Sequence, residues 1–110
     1  MNIGIIGLGD MGLLYAKTFR KAGYAIFGSD PSQFRDQLEA ELQPLGITVL
    51  DDGKEVSRRC DIIFYAVEAE KISQVVQLYG PSTKYGAIVA DKHLLSIRKL
   101  QPLRNIYLLT

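Results

Sequence analysis

Residues 3–12 read Ile3-Gly4-Ile5-Ile6-Gly7-Leu8-Gly9-Asp10-Met11-Gly12: an apolar β-forming run, then three glycines in the spacing G-x-G-x-x-G. The weight that spacing bears depends on the neighbouring residues. Met11 to Lys21 carries Met11, Leu14, Tyr15, Thr18, Phe19 and Ala22 at helical intervals and stops at Gly23, so the loop joins a strand to an amphipathic helix. A second strand and a terminal acid, Asp30, complete the order strand, loop, helix, strand, acid within about 30 residues that a dinucleotide-binding βαβ unit requires. In that setting Gly7 allows a tight turn, Gly9 lets the backbone approach a pyrophosphate, and Gly12 lets the helix pack closely on the strand. The helix N-terminus offers free N–H groups and a positive dipole end to the phosphates. The competing reading is that the glycines only shape a turn. Asp10, inside the loop, reads as a helix cap without a catalytic role.

On either side of the loop, short apolar runs alternate with longer amphipathic stretches, the pattern of an α/β, Rossmann-like, doubly wound parallel sheet. Five strands are expected near Asn2–Ile6, Tyr24–Gly28, Ile47–Leu50, Asp61–Val67 and Gly86–Ala90. Beyond the first helix, others are expected at Ser32–Leu45, at Gly53–Arg59 and at Ala69–Tyr79. The second has Asp30 or Ser32 as its cap, an inner face of Phe34, Leu38, Leu42 and Leu45, and a last turn loosened by Pro44.

Asp30 stands 18 residues past Gly12, where an acid can hydrogen-bond the adenine ribose and favour NAD. Two alternatives stay open: Asp30 as a purely structural cap, and Ser29, Ser32 and Arg35 as holders of a 2′-phosphate, for which the Arg fork is suited. Val67, at the end of the fourth strand, falls where the nicotinamide ribose is expected, or closes the core there. Tyr65 and Phe64 read as core, and Arg58, Arg59, Lys71 and Lys84 as solvated charges.

The chain has 110 residues, 47% apolar and 23% charged, which fits one globular domain. Its 13 basic and 12 acidic residues give a net charge of +1, so no field gathers nucleic acid or an anionic membrane. Cys60 is the only cysteine, which excludes an internal disulfide and a thiolate metal cluster. No metal site and no membrane partner are expected, the first strand begins without a targeting segment, and a cytoplasmic setting is the expectation.

The stretch IGIIGLGDMGLLYA from Ile3 to Ala16, together with VSRRCDIIFYAVEAEKISQVVQLYGPSTKYGAIV from Val56 to Val89, resembles fungal prephenate dehydrogenase. G-L-G-x-M-G is also shared with 3-hydroxyisobutyrate and 6-phosphogluconate dehydrogenases. The second stretch decides for the prephenate enzymes, through Val56-Ser57-Arg58, Ile72-Ser73 and Tyr79-Gly80-Pro81-Ser82. The resemblance implies NADP-dependent oxidative decarboxylation of prephenate to 4-hydroxyphenylpyruvate in tyrosine biosynthesis. It implies cofactor contacts at Gly7, Leu8, Gly9, Asp10, Met11, Gly12, Asp30 and Val67, with NADP as cofactor and NAD as the alternative that Asp30 favours.

The likeness ends near Ala90. The family continues with Gly-Gln-Thr-Ser and later His-Ser-Leu-His-Gly-Pro, which serve the substrate; this chain runs Asp91-Lys92-His93-Leu94-Leu95 to Thr110 instead. Codons exist for Val89 to Thr110 such that reading one nucleotide earlier yields GGQTSVKYPEIATFEKYLPAD, the expected continuation. The expectation is therefore a nucleotide-binding domain over 1–90 and a frame-shifted tail over 91–110. Such a chain binds a nicotinamide dinucleotide, leaves prephenate and the homodimer interface to the full-length family, has no catalytic residue, and carries His93 incidentally. The competing reading is a stand-alone NAD(P)-binding module without chemistry, whose tail, with Leu94, Ile97, Leu100 and Leu103 at helical spacing broken by Pro102, packs on the sheet.

Overall fold

The structure, a computed structural model, describes residues 1–31, 33–91 and 107–108. Ser32, His93 and the Leu94–Leu103 pattern lie outside the described residues. The elements in order are β1 (Asn2–Ile6), α1 (Asp10–Lys21), β2 (Ala25–Ser29), α2 (Arg35–Leu42), β3 (Ile47–Val49), α3 (Gly53–Arg59), β4 (Ile62–Tyr65), α4 (Ile72–Tyr79), β5 (Ile88–Asp91) and β6 (Tyr107–Leu108). The strands form one sheet in the order β3-β2-β1-β4-β5-β6, every pairing parallel. This is the expected Rossmann-like α/β sheet, with one strand beyond the five anticipated.

Parallel strands alternate their side chains between two faces, and each face has its own core. Ile3 and Ile5 of β1 join Ile26, Ile47, Ala16 of α1 and Leu42 of α2 on one side. Ile6, Ile63, Tyr65 and Val89 join Val56 of α3 and Ile72 and Val76 of α4 on the other. The α3 helix approaches β1 closely because Gly4 is bare: a Cβ there would lie 2.5 Å from a Val56 methyl and 2.9 Å from Cys60 Sγ. The chain leaves β1 toward β2 and β3, then returns to place β4 on the opposite side of β1, so the topology reverses between β1 and β4. In such sheets the crevice outside the carboxyl ends at that reversal receives the ligand.

Three local expectations change. The inner face of α1 is made by Gly12 and Ala16 with partly buried Leu13, Tyr15 and Phe19, while Leu14 is 55% exposed and Met11 38%. Small residues let the helix sit so close to the sheet that the adjacent larger ones turn outward. After α1, Gly23 at φ +98° and the Tyr24 N–H donating to Phe19 O at 3.3 Å close a Schellman turn, so β2 starts one residue later than expected. The α2 helix starts at Arg35, its cap position is Phe34 without a side-chain capping bond, and Phe34 and Leu45 are exposed. Asp30 is thus not its cap. The last turn around Pro44 is loosened as expected, into a 3-10 turn over Gln43–Leu45, and α2 proper ends at Leu42.

Candidate functional site

The glycine loop lies at the carboxyl end of β1, and its three glycines sit in three different environments. Gly7 has φ +99°, and a Cβ on it would lie 2.7 Å from Ala66 O and 2.9 Å from a Val67 methyl. Its N–H donates to Ser29 O at 2.9 Å, which ties the loop to the end of β2. Gly12 has no room at all: a Cβ would come within 1.8 Å of Gly7 O. Gly9 meets nothing within 4 Å, is exposed, and occupies the cap position of α1, where its carbonyl accepts the Leu13 N–H at 2.8 Å. Two glycines are therefore demanded by the protein itself. The third faces open space at a helix N-terminus, whose first N–H groups have no partner within the helix. A side chain at Gly9 would obstruct only something arriving from outside.

The other expected positions divide. Met11 is an exposed apolar side chain in the first turn of α1, and Val67 is half-buried against Gly7, so both border the loop. Asp10 is exposed in that first turn and does not cap it; Gly9 holds the cap position with no side-chain bond, which corrects the capping expectation. A carboxylate there still favours the helix through its dipole. Leu8 is only 2% exposed and packs on Gly28, where a Cβ would meet its methyls at 3.1 and 3.2 Å. Its N–H donates to Asp30 Oδ2 at 3.1 Å. Leu8 is thus turned inward, and Asp30 anchors the loop.

At the ends of β2 and β3 the charges interlock. The Arg35 guanidinium lies 2.7 Å from Asp51 Oδ1, 3.2 Å from Glu39 Oε2 and 3.6 Å from Asp36 Oδ1, and its Nη2 donates to Val49 O at 3.2 Å. Its Nε is buried without a partner among the described residues. The Glu39 contact was available from the i,i+4 spacing; Asp51 comes from a different element and left no local signal. Ser29, the other candidate for a 2′-phosphate, is 4% exposed.

Below the site, Tyr65 is fully buried, its hydroxyl near those of Ser57 and Thr83, and none of the three makes a well-formed hydrogen bond within the described residues. Burial pushes the Tyr65 phenol up to about 12, the two neighbouring hydroxyls opposing. Burial, with Asp61 adding to it, pushes the Cys60 thiol up to about 12 as well, so it is a packing group without nucleophilic character. Phe64 stacks on Phe19 at a centroid distance of 5.3 Å, as expected of core. Lys84 pairs with Asp61, and Arg58 with Glu55, at the surface. Among the described residues no group of three or more His, Cys, Asp or Glu is arranged to hold a metal, and no helix is long and apolar enough to cross a membrane.

Known proteins share this arrangement. The chain is 52% identical over 91 residues to a probable prephenate dehydrogenase [NADP(+)] of Schizosaccharomyces pombe, covering 83% of this chain and 21% of that protein. It is 47% identical over 90 residues to the prephenate dehydrogenase [NADP(+)] of Saccharomyces cerevisiae, covering 82% and 20%. It spans about a fifth of the length of these curated relatives. Among solved structures, the 3-hydroxyisobutyrate dehydrogenase of Mycobacterium tuberculosis superposes with a TM-score of 0.82 at 17% identity over 97% of this chain and 38% of that one, a likeness of fold. The arogenate dehydrogenase of Synechocystis superposes with a TM-score of 0.73 at 25% identity, over 83% and 32%. Residues 2–92 match the family described as NADP oxidoreductase, coenzyme F420-dependent, and by that match the chain belongs to this family of NAD(P)-binding oxidoreductase domains, as a relative of the fungal prephenate dehydrogenases.

Proposed function

We propose that the described residues bind NADP(H) as the cofactor-holding part of a prephenate dehydrogenase, with the pyrophosphate on the N-terminus of α1. What carries the reading is the contrast inside the loop: Gly12 has no space and Gly9 has nothing but space, at the edge where the sheet reverses. The choice of NADP over NAD follows the names of the two fungal relatives. In that placement Met11 and Val67 flank the nicotinamide side, and Asp30 holds the loop shut behind the phosphates. Bound there, the cofactor supplies hydride acceptance; the chain's own residues position it. Tyr107–Leu108 extends the sheet edge beside β5.

Titration of the purified chain with NADPH, followed by nicotinamide fluorescence and by melting temperature, tests this. Saturable binding is expected. At ligand 100-fold above Kd the gain is about 2.7 kcal/mol, a rise in Tm on the order of 10 °C for a domain of this size. Folded protein that binds neither NADPH nor NADH would refute it.

A further inference from the structure

The strand order fixes which way a dinucleotide must lie. With the pyrophosphate after β1 and the nicotinamide toward β4, the adenosine falls over the carboxyl ends of β2 and β3. Arg35 spans those two ends: it is the first residue of α2, and its guanidinium reaches the carbonyl of Val49, the last residue of β3. Besides that carbonyl, its hold there rests on acids that water reaches. Asp51, at 2.7 Å, is 85% exposed, and Glu39, at 3.2 Å, is 44% exposed. Exposed ion pairs of this kind contribute little, because water solvates the freed carboxylate almost as well. The buried Arg35 Nε is an N–H donor that these carboxylates do not serve.

A phosphomonoester on the adenosine ribose offers what the cluster lacks: more acceptor oxygens, more charge and a fit to the guanidinium fork. Among the described residues, the neighbouring polar groups are less available. Ser29 is buried and its carbonyl accepts the Gly7 N–H; the Asp30 carboxylate accepts the Leu8 N–H and would repel a phosphate. Resting on the NADP(H) reading above, we propose that Arg35 is the specificity-determining residue for the 2′-phosphate, and that it exchanges Asp51 and Glu39 for that phosphate, so that Asp51 competes with NADP(H) but not with NAD(H).

The test is a set of NADPH and NADH titrations on the wild-type chain, Arg35→Gln, Arg35→Lys and Asp51→Asn, each checked for folding by its melting transition. Arg35→Gln is expected to weaken NADPH about tenfold or more while moving NADH less than about twofold. Arg35→Lys, which keeps the charge and loses the fork, recovers part of the loss. Asp51→Asn tightens NADPH about threefold and leaves NADH unchanged. If Arg35→Gln shifts both cofactors alike or neither, the proposal falls while the cofactor reading stands. If the folded wild-type chain binds neither, the cofactor reading falls and takes the proposal with it. Should Arg35→Gln fail to fold, an Asp51→Asn chain with an unchanged NADPH to NADH ratio overturns the proposal by itself.

Discussion

The two halves of the sheet's carboxyl edge are built on different principles. At the end of β1 the candidate site is made of backbone: a positive-φ glycine and a glycine pressed against a carbonyl, neither of which another residue type could replace without strain, and a bare helix N-terminus. At the ends of β2 and β3 it is made of charges, a partly buried Arg35 held by water-exposed acids that can be rearranged cheaply. At Gly7 and Gly12 the first half leaves no room for a side chain, while the ion pairs of the second can be changed at little cost in stability. On the proposed reading, that division pairs a phosphate cradle with an adjustable cofactor preference.

The division can be attacked from either side. The largest effect is expected at Gly12→Ala, where the added methyl would sit 1.8 Å from Gly7 O. Overpacking of this severity costs about 3 kcal/mol or more and moves helix and loop apart, so both the thermal transition and NADPH binding should suffer. A Gly12→Ala chain of wild-type stability would mean that α1 is not seated as described. Next comes Asp30→Ala, which strips the Leu8 N–H of its acceptor; a loss of about 1 kcal/mol in urea unfolding is expected, and none would show that the loop holds itself.

A third effect is visible only in alkali. Tyr65 has a folded-state value of about 12 against an ordinary 10.0, and Cys60 about 12 against 9.0. Both are raised, so their contribution is complete below the ordinary values and is lost as pH climbs, because the unfolded chain ionises first. Stability should therefore fall between pH 9 and 12, and Tyr65→Phe should flatten the part of that fall above pH 10. An identical pH profile for the variant would place the Tyr65 hydroxyl in water. The smallest effect is predicted for Leu14→Gln, within about 0.5 kcal/mol of wild type, since Leu14 is 55% exposed; a large loss would restore it to the inner face that its spacing alone suggested.

That last case shows what the amino-acid sequence could and could not convey. Strand positions, parallel topology and the glycine loop were legible because they depend on local pattern: apolar runs, helical spacing and a triplet whose order is set by backbone mechanics. The rotation of α1 was not, because Gly12 and Ala16 decide it by being small, and counting apolar residues gives small ones little weight. Asp30 followed by Pro31 looks like a helix cap, and its carboxylate also accepts the N–H of Leu8, 22 residues back, a tertiary contact invisible to spacing. Arg35 was legible as a phosphate candidate, while Asp51, its competitor, is brought to it only by the register of β3 beside β2.

Whether the loop is shaped for a ligand and not merely for a turn is decided by titrating Gly9→Ala with NADPH beside the wild-type chain. A Cβ at that position meets nothing within 4 Å, and the backbone there, at φ −75°, admits any residue. The expected result is a melting temperature close to wild type, with a stability cost of no more than about 1 kcal/mol for Ala at a helix cap, together with a loss of NADPH binding of about tenfold or more, roughly 1.4 kcal/mol. Wild-type affinity in a folded Gly9→Ala chain would refute the ligand reading, for then nothing approaches the backbone at Gly9.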